Sequence, residues 1–312
     1  MDSKKTAFLF PGQGAQKVGM GKELVELIPE CKKILDYSED VLQMPIKKMM
    51  FEGPEDLLMK TEIAQPTIVV TSLIALKALE VNGIEADYTT GLSLGEYPAL
   101  IYGGALSIEE GLLLCKERGR IMGCALPKGL GKMAAIMKLD NEKVNELLIE
   151  AGKFGIIEGA NYNCPGQVVV SGETQAIEAC IEIAEKLGGK AKILNVSGPF
   201  HSSLLKDASE EFYKAIKDIK LGKLNKIVYS NLKGLPYEET DDMKDILKRH
   251  MRSSVLFEGT ISNMINRGVE NFIEVGPGRA LSGFVKKINK ELNILNVQDE
   301  KSLKKTFEDL RK

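Results

Sequence analysis

A serine, a histidine and an arginine in this chain are spaced as acyl chemistry would need them. Gly91-Leu92-Ser93-Leu94-Gly95 matches the pattern GxSxG. In that pattern the serine sits on a sharp strand-to-helix turn, the glycines admit a tight backbone, and backbone N–H groups point at a developing oxyanion. The bare pattern is weak: with 30 Gly in 312 residues, chance alone gives about 0.15 matches. Alone it also describes a glycine-rich turn with a capping serine. Context strengthens it, with a short strand over 86–90 before it and a helical run after it. Pro98, about one turn into that run, stands where it would kink the helix.

A serine hydroxyl needs a base to take its proton. The chain has only two histidines, His201 and His250, so a histidine base has almost no alternatives. His201 opens a new segment after Gly198-Pro199-Phe200, on a loop placed to face a cleft. His250 lies in Lys248-Arg249-His250-Met251-Arg252, where the simplest reading is a solvated cation favoured by a helix C-terminus. Arg118 is the third element. Most arginines are solvated, but one turned into a cleft can hold a carboxylate through two parallel hydrogen bonds. The three together suggest an acyl group that carries its own free carboxylate.

The elements that must position them read as α/β. A buried strand over 6–10 runs into Pro11-Gly12-Gln13-Gly14. A helix over 66–81 starts on Pro66 and closes at Asn82-Gly83. A strand over 271–275, a turn over 276–278 and a helix over 280–288 follow near the end. Between them lies a separate unit. Strands over 132–138, 155–161, 167–171 and 191–196 alternate with helices over 141–151 and 174–187, the second capped by Thr174. The order βαββαβ is that of a ferredoxin-like unit. Glycine-containing junctions, Lys128-Gly129-Leu130-Gly131 and Ser197-Gly198-Pro199, bound it. The expected organisation is a larger core of residues 1–128 and 198–312 with a small domain of 129–197 inserted.

Composition narrows the function classes. With 44% hydrophobic and 28% charged residues and a net charge of −2, the chain reads as globular, without a global pull toward nucleic acid or anionic membranes. The apolar run over 7–10 stops at Pro11, too short for a signal peptide, and no stretch approaches the roughly 18 apolar residues of a membrane span. The expected location is the cytoplasm. Five scattered cysteines without a CxxC pair read as reduced, mostly buried thiols. Gly12-Gln13-Gly14 lacks the third glycine of a dinucleotide fingerprint, Gly131-Lys132 lacks the upstream glycine of a P-loop, and no HExxH suggests a metal.

Several stretches in order resemble the malonyl-CoA:acyl carrier protein transacylases of bacterial fatty acid synthesis. They are Phe10-Pro11-Gly12-Gln13-Gly14, Gly91 through Glu96-Tyr97, Arg118-Gly119 with Met122, residues 161–167, Gly198-Pro199-Phe200-His201-Ser202 and Glu274-Val275-Gly276-Pro277-Gly278. The resemblance implies an α/β-hydrolase-like core with a ferredoxin-like insert. It makes Ser93 the nucleophile and His201 its base, with the backbone N–H groups of Gln13 and Leu94 as the oxyanion hole. Arg118 would pair with the malonyl carboxylate, Phe200 would bear on malonyl against branched acyl groups, and Met122 and Asn163 would line the pocket. The backbone carbonyl at His250 would orient His201.

Two positions depart from the family pattern. Leu92 stands where a histidine is usual, and His250 where a glutamine is usual. The implied partners are malonyl-CoA and acyl carrier protein, with the coenzyme A thioester as substrate, no cofactor or metal, no nucleic acid and no membrane, in a chain expected to be monomeric. Acidic carrier proteins call for a basic patch, for which Lys286, Lys287, Lys248 and Arg249 are candidates. A serine hydrolase or thioesterase, a stand-alone polyketide acyltransferase and a non-catalytic docking protein are the competing readings.

Overall fold

The computed structural model describes residues 4–127 and 129–311; Lys128 in the first junction, residues 1–3 and residue 312 lie outside them. The strands among the described residues are β1 (Lys5–Phe10), β2 (Tyr88–Gly91), β3 (Gly131–Met137), β4 (Ile157–Cys164), β5 (Gln167–Glu173), β6 (Lys190–Ile193), β7 (Ile227–Val228), β8 (Val269–Val275) and β9 (Asn293–Val297). They form two sheets. The larger, in order β7-β2-β1-β8-β9, is parallel at every pairing. Its strands β1 and β8 are buried, as expected where both faces of a parallel sheet are covered: β1 from Thr6 to Phe10 and β8 at every residue but Glu270.

The pairing of β1 with β2 positions the chemistry. Phe10 lies opposite Gly91, so both strands end at the same level. The loop holding Gln13 and the turn holding Ser93 therefore emerge side by side at the carboxyl ends of adjacent parallel strands, where open α/β sheets bind ligands. Pro98 leaves its helix intact. It is the third residue of Glu96–Tyr102, and a first-turn residue has no intrahelical use for its N–H.

The first long helix starts earlier than the sequence suggests. It spans Thr61–Val81 with Pro66 inside it. An interior proline costs a hydrogen bond, but the extra turn is held by tertiary contacts: Thr61, Ala64 and Gln65 are buried. It packs on the helix Ile108–Gly123, which a Ser107–Glu110 capping box initiates. Gly119 permits the approach, since a Cβ there would lie 2.9 Å from the Thr61 carbonyl oxygen. The helix Thr61–Val81 is also long and apolar enough by composition to cross a bilayer, contrary to the expectation that no stretch approaches that length, and 83% of its most apolar window is buried inside the protein.

The second sheet is antiparallel, in order β4-β5-β3-β6, with the helices Asn141–Ala151 and Thr174–Lys186 making the chain order βαββαβ. Strand alternation divides its side chains. Ala134, Ile136, Val168 and Val170 pack with the two helices in a core of their own. Met133, Ala135, Asn161, Asn163, Gln167 and Val169 face the cleft toward the larger sheet. Two local expectations fail. β6 ends at Ile193, and Leu194 and Val196 turn instead to line the cleft. Thr174 is the first helical residue rather than the cap, and its hydroxyl donates to the Gly129 carbonyl at 2.6 Å. All five cysteines are free, four of them buried and Cys124 exposed; burial pushes the Cys31 and Cys180 thiols up to about 12.

Candidate active site

Ser93 sits where β2 breaks into a one-turn 3-10 helix, Ser93–Gly95, that runs directly into Glu96–Tyr102. Its φ is 53°, a left-handed conformation that a serine holds only when its surroundings fix it. Two glycines are required by contact. A Cβ on Gly91 would lie 2.1 Å from the Gly95 carbonyl carbon, and one on Gly95 would lie 2.0 Å from the Phe10 oxygen. Asn231 braces the turn from behind, accepting from the Ser93 N–H at 2.7 Å and donating to the Gly91 carbonyl at 2.7 Å.

His201 lies 2.6 Å from the serine, Nε2 to Oγ, and it too is left-handed, with φ 59°. Its Nδ1 faces two carbonyl oxygens, His250 at 2.9 Å and Ser253 at 3.2 Å. Carbonyls only accept, so Nδ1 carries the proton and Nε2 presents its lone pair to the Ser93 hydroxyl. Burial holds the His201 imidazole well below its ordinary 6.5, aided by the neighbouring His250 ring and the Arg118 guanidinium and opposed by the two carbonyl bonds. Geometry and burial together favour the neutral ring, with Nε2 turned to the Ser93 hydroxyl.

Arg118 is 1% exposed. It projects from the buried face of Ile108–Gly123 and donates through Nη2 to Ser93 Oγ at 3.0 Å and through Nη1 to Gln65 Oε1 at 2.9 Å. Its guanidinium carbon lies 5.6 Å from the centre of the Tyr97 ring, while Nε has no hydrogen-bond partner among the described residues. Arg118 is a buried cation with a donor to spare and, among the described residues, no ion-pair partner, a state that leaves charge uncompensated in the protein interior.

These groups line one cavity of about 430 Å³ between the two sheets. Gln13 enters from the loop after β1, its side chain donating to Thr61 Oγ1 at 3.0 Å; Thr61 in turn shares a 2.7 Å hydrogen bond with Ser197. Leu94 is the second residue of the 3-10 turn, among the first N–H groups that a helix leaves unpaired. Met122, Asn163 and Phe200 all line the cavity, and so does Leu92. Asn163 Oδ1 is buried without a hydrogen-bond partner among the described residues.

His250 departs from its expected solvated position. It ends the helix Met243–His250 but is only 1% exposed, with its ring 5.1 Å from that of His201. The helix terminus turns inward to present its last carbonyl to His201, and the ring is carried in with it. Sequence reasoning missed Gln65, Glu96, Asn231 and Ser253. Gln65 had a faint signal, a polar residue in a long apolar helix. Glu96 entered only as part of the stretch Gly91 through Glu96-Tyr97, with no role of its own.

The chain matches the family model described as acyl transferase domain over residues 7–306. The malonyl CoA-acyl carrier protein transacylase of Bacillus subtilis (strain 168) is 40% identical over 309 residues, 98% of each chain. The crystal structure of malonyl CoA-acyl carrier protein transacylase from Clostridium perfringens superimposes with a TM-score of 0.96 at 46% identity, covering 98% of this chain and 97% of that one. A type II PKS acyl-carrier protein in complex with its malonyl-transacylase provides a third relative, 31% identical with a TM-score of 0.94 over 98% of this chain and 99% of that one.

Proposed function

The chain belongs to the acyl transferase domain family, and on that basis we propose that it transfers a malonyl group from coenzyme A to the phosphopantetheine thiol of acyl carrier protein, in fatty acid synthesis, through an ester on Ser93. One observation carries this reading. A single hydroxyl, Ser93 Oγ, lies 2.6 Å from a neutral imidazole and 3.0 Å from a buried arginine. The first makes a nucleophile and the second selects an acyl group that ends in a carboxylate.

In this reading Ser93 Oγ attacks the thioester carbonyl as His201 Nε2 takes its proton. The N–H groups of Gln13 and Leu94 receive the oxyanion; one such donor is worth about 3–4 kcal/mol in the transition state. The intermediate collapses, the C–S bond breaks, and coenzyme A leaves as a thiol with the proton from His201. The carrier thiol then gives its proton to His201 and attacks the malonyl ester; the ester C–O bond breaks, and Ser93 Oγ leaves as the hydroxyl with the proton returned by His201. The Arg118 guanidinium holds the malonyl carboxylate throughout. No step calls for a cofactor or metal, because the thioester is itself the activated substrate. A cytoplasmic location and a monomer fit this role.

The organisation proposed with it is an α/β-hydrolase-like core of residues 1–128 and 198–312 carrying a ferredoxin-like small domain of 129–197, the cleft between them holding the acyl group. The carrier protein is placed at the helix Ala280–Ile288. Arg279 lines the cleft and also a neighbouring groove with Lys286 and Lys290, and Lys287 stands beside Gln167 at the cleft wall. Lys248 and Arg249 fit less well, being paired with Glu210 and Asp245.

The test is malonyl transfer followed against pH with holo acyl carrier protein present. Malonyl is expected on the carrier, not as free malonate. The base is neutral above its depressed pKa, so kcat/KM is expected to fall only as pH drops below the ordinary histidine value of 6.5. Release of malonate at the same rate without carrier would make the chain a hydrolase. An acidic limb above 6.5 would contradict the buried neutral base.

A further inference from the structure

The geometry points to Glu96 as a positioning residue that ties both halves of the Ser93–His201 pair to one buried carboxyl group, an inference that rests on the reading of those two as the reacting pair. Glu96 follows the nucleophile turn directly and is 0% exposed. A first-turn acid can favour a helix dipole from solvent, so that role explains neither its burial nor its partners.

The partners lead in two directions. Oε2 accepts from the Asn231 N–H at 3.3 Å, and the Asn231 side chain holds the Ser93 N–H and the Gly91 carbonyl, each at 2.7 Å. The same Oε2 lies 3.0 Å from His250 Nδ1, and the His250 carbonyl orients His201 at 2.9 Å. The approach to His250 is close but not aligned, since neither of its ring nitrogens has a hydrogen-bond partner among the described residues. It is a polar contact that fixes distance more than direction. Oε1 accepts from the Tyr237 hydroxyl at 2.6 Å, and burial raises that phenol well above its ordinary 10.0, keeping it a donor.

Ser93 and His201 both hold left-handed backbone conformations and come from segments 108 positions apart. Such conformations persist only where surrounding contacts over-determine them. One carboxyl group reaching Asn231 and His250 together couples the nucleophile to its base, and the reach of the glutamate side chain sets their separation. Glutamine has that reach. Its oxygen can replace Oε2, and its amide can donate to the Tyr237 hydroxyl. Aspartate keeps the carboxyl group but is one methylene short.

The test compares Glu96→Asp and Glu96→Gln with the native protein by two readouts. One is kcat and KM for malonyl-CoA. The other is phosphonylation of Ser93 by a fluorophosphonate, in which Oγ attacks phosphorus, fluoride leaves and His201 takes the proton. Misplacement by about an ångström costs on the order of 100-fold in rate, so Glu96→Asp is expected to lose roughly 30- to 100-fold in kcat and in phosphonylation, with KM within about threefold, while Glu96→Gln recovers to within about fivefold of native. Native rates in both variants, a Gln variant slower than the Asp variant, or a loss confined to KM would each overturn the positioning role. If the native chain labels at Ser93 but moves no malonyl, the substrate reading fails, and the order of phosphonylation rates still decides the role of Glu96.

Discussion

Replacing His201 with alanine is expected to lower malonyl transfer on the order of 10⁴-fold or more, since a serine without its base retains only what binding and the oxyanion donors supply. Among the described residues, the imidazole 2.6 Å from Ser93 Oγ, held by two carbonyls on Nδ1, is the group placed to take the proton. His250→Ala is expected to fall far less. In the proposed reading His250 supports His201 through its backbone carbonyl, which alanine keeps; its ring meets Glu96 and lies 5.1 Å from the His201 ring without taking the Ser93 proton. Steady-state transfer by both folded variants checks the pair. A larger loss at His250 than at His201 would reverse the assignment.

The second large effect concerns selectivity. Removing one partner of a buried charge pair costs about 3–5 kcal/mol, so Arg118→Ala is expected to reduce the preference for malonyl over acetyl by roughly 150- to 5,000-fold. The loss falls on malonyl, whose carboxylate would enter a site without its cation; acetyl has no charge to pair. Arg118→Lys is expected to recover only part of the preference, because one ammonium cannot reproduce the donors that now reach both Ser93 and Gln65. Competition between malonyl-CoA and acetyl-CoA for acylation of Ser93 measures it directly. An unchanged ratio would remove Arg118 from substrate selection.

What could be read in the sequence was local. The GxSxG turn was legible because its glycines answer a steric need within five residues: Gly91 and Gly95 touch each other. The βαββαβ order was legible because each element carries its own periodicity and turn residues. The two histidines were separable because one followed a junction between units. The bracing of the site was hidden, because it is made by residues distant in sequence and ordinary in type. Asn231 supports Ser93 from 138 positions away, and Gln65 steers Arg118 from 53. His250 was misread for a related reason. A basic run at a helix end looks solvated, and only the packing of Met243–His250 turns its last residue inward. Helix boundaries failed where tertiary contacts outweighed propensity, as at Thr61–Gln65 ahead of Pro66.

The malonyl-serine ester is the centre of the account, and intact-protein mass after brief exposure to malonyl-CoA tests it most directly. The native chain is expected to gain the mass of one malonyl group, Ser93→Ala to gain none, and holo acyl carrier protein added afterwards to take the gain onto itself. A malonyl adduct on Ser93→Ala, or transfer to the carrier with no adduct on the native chain, would contradict it.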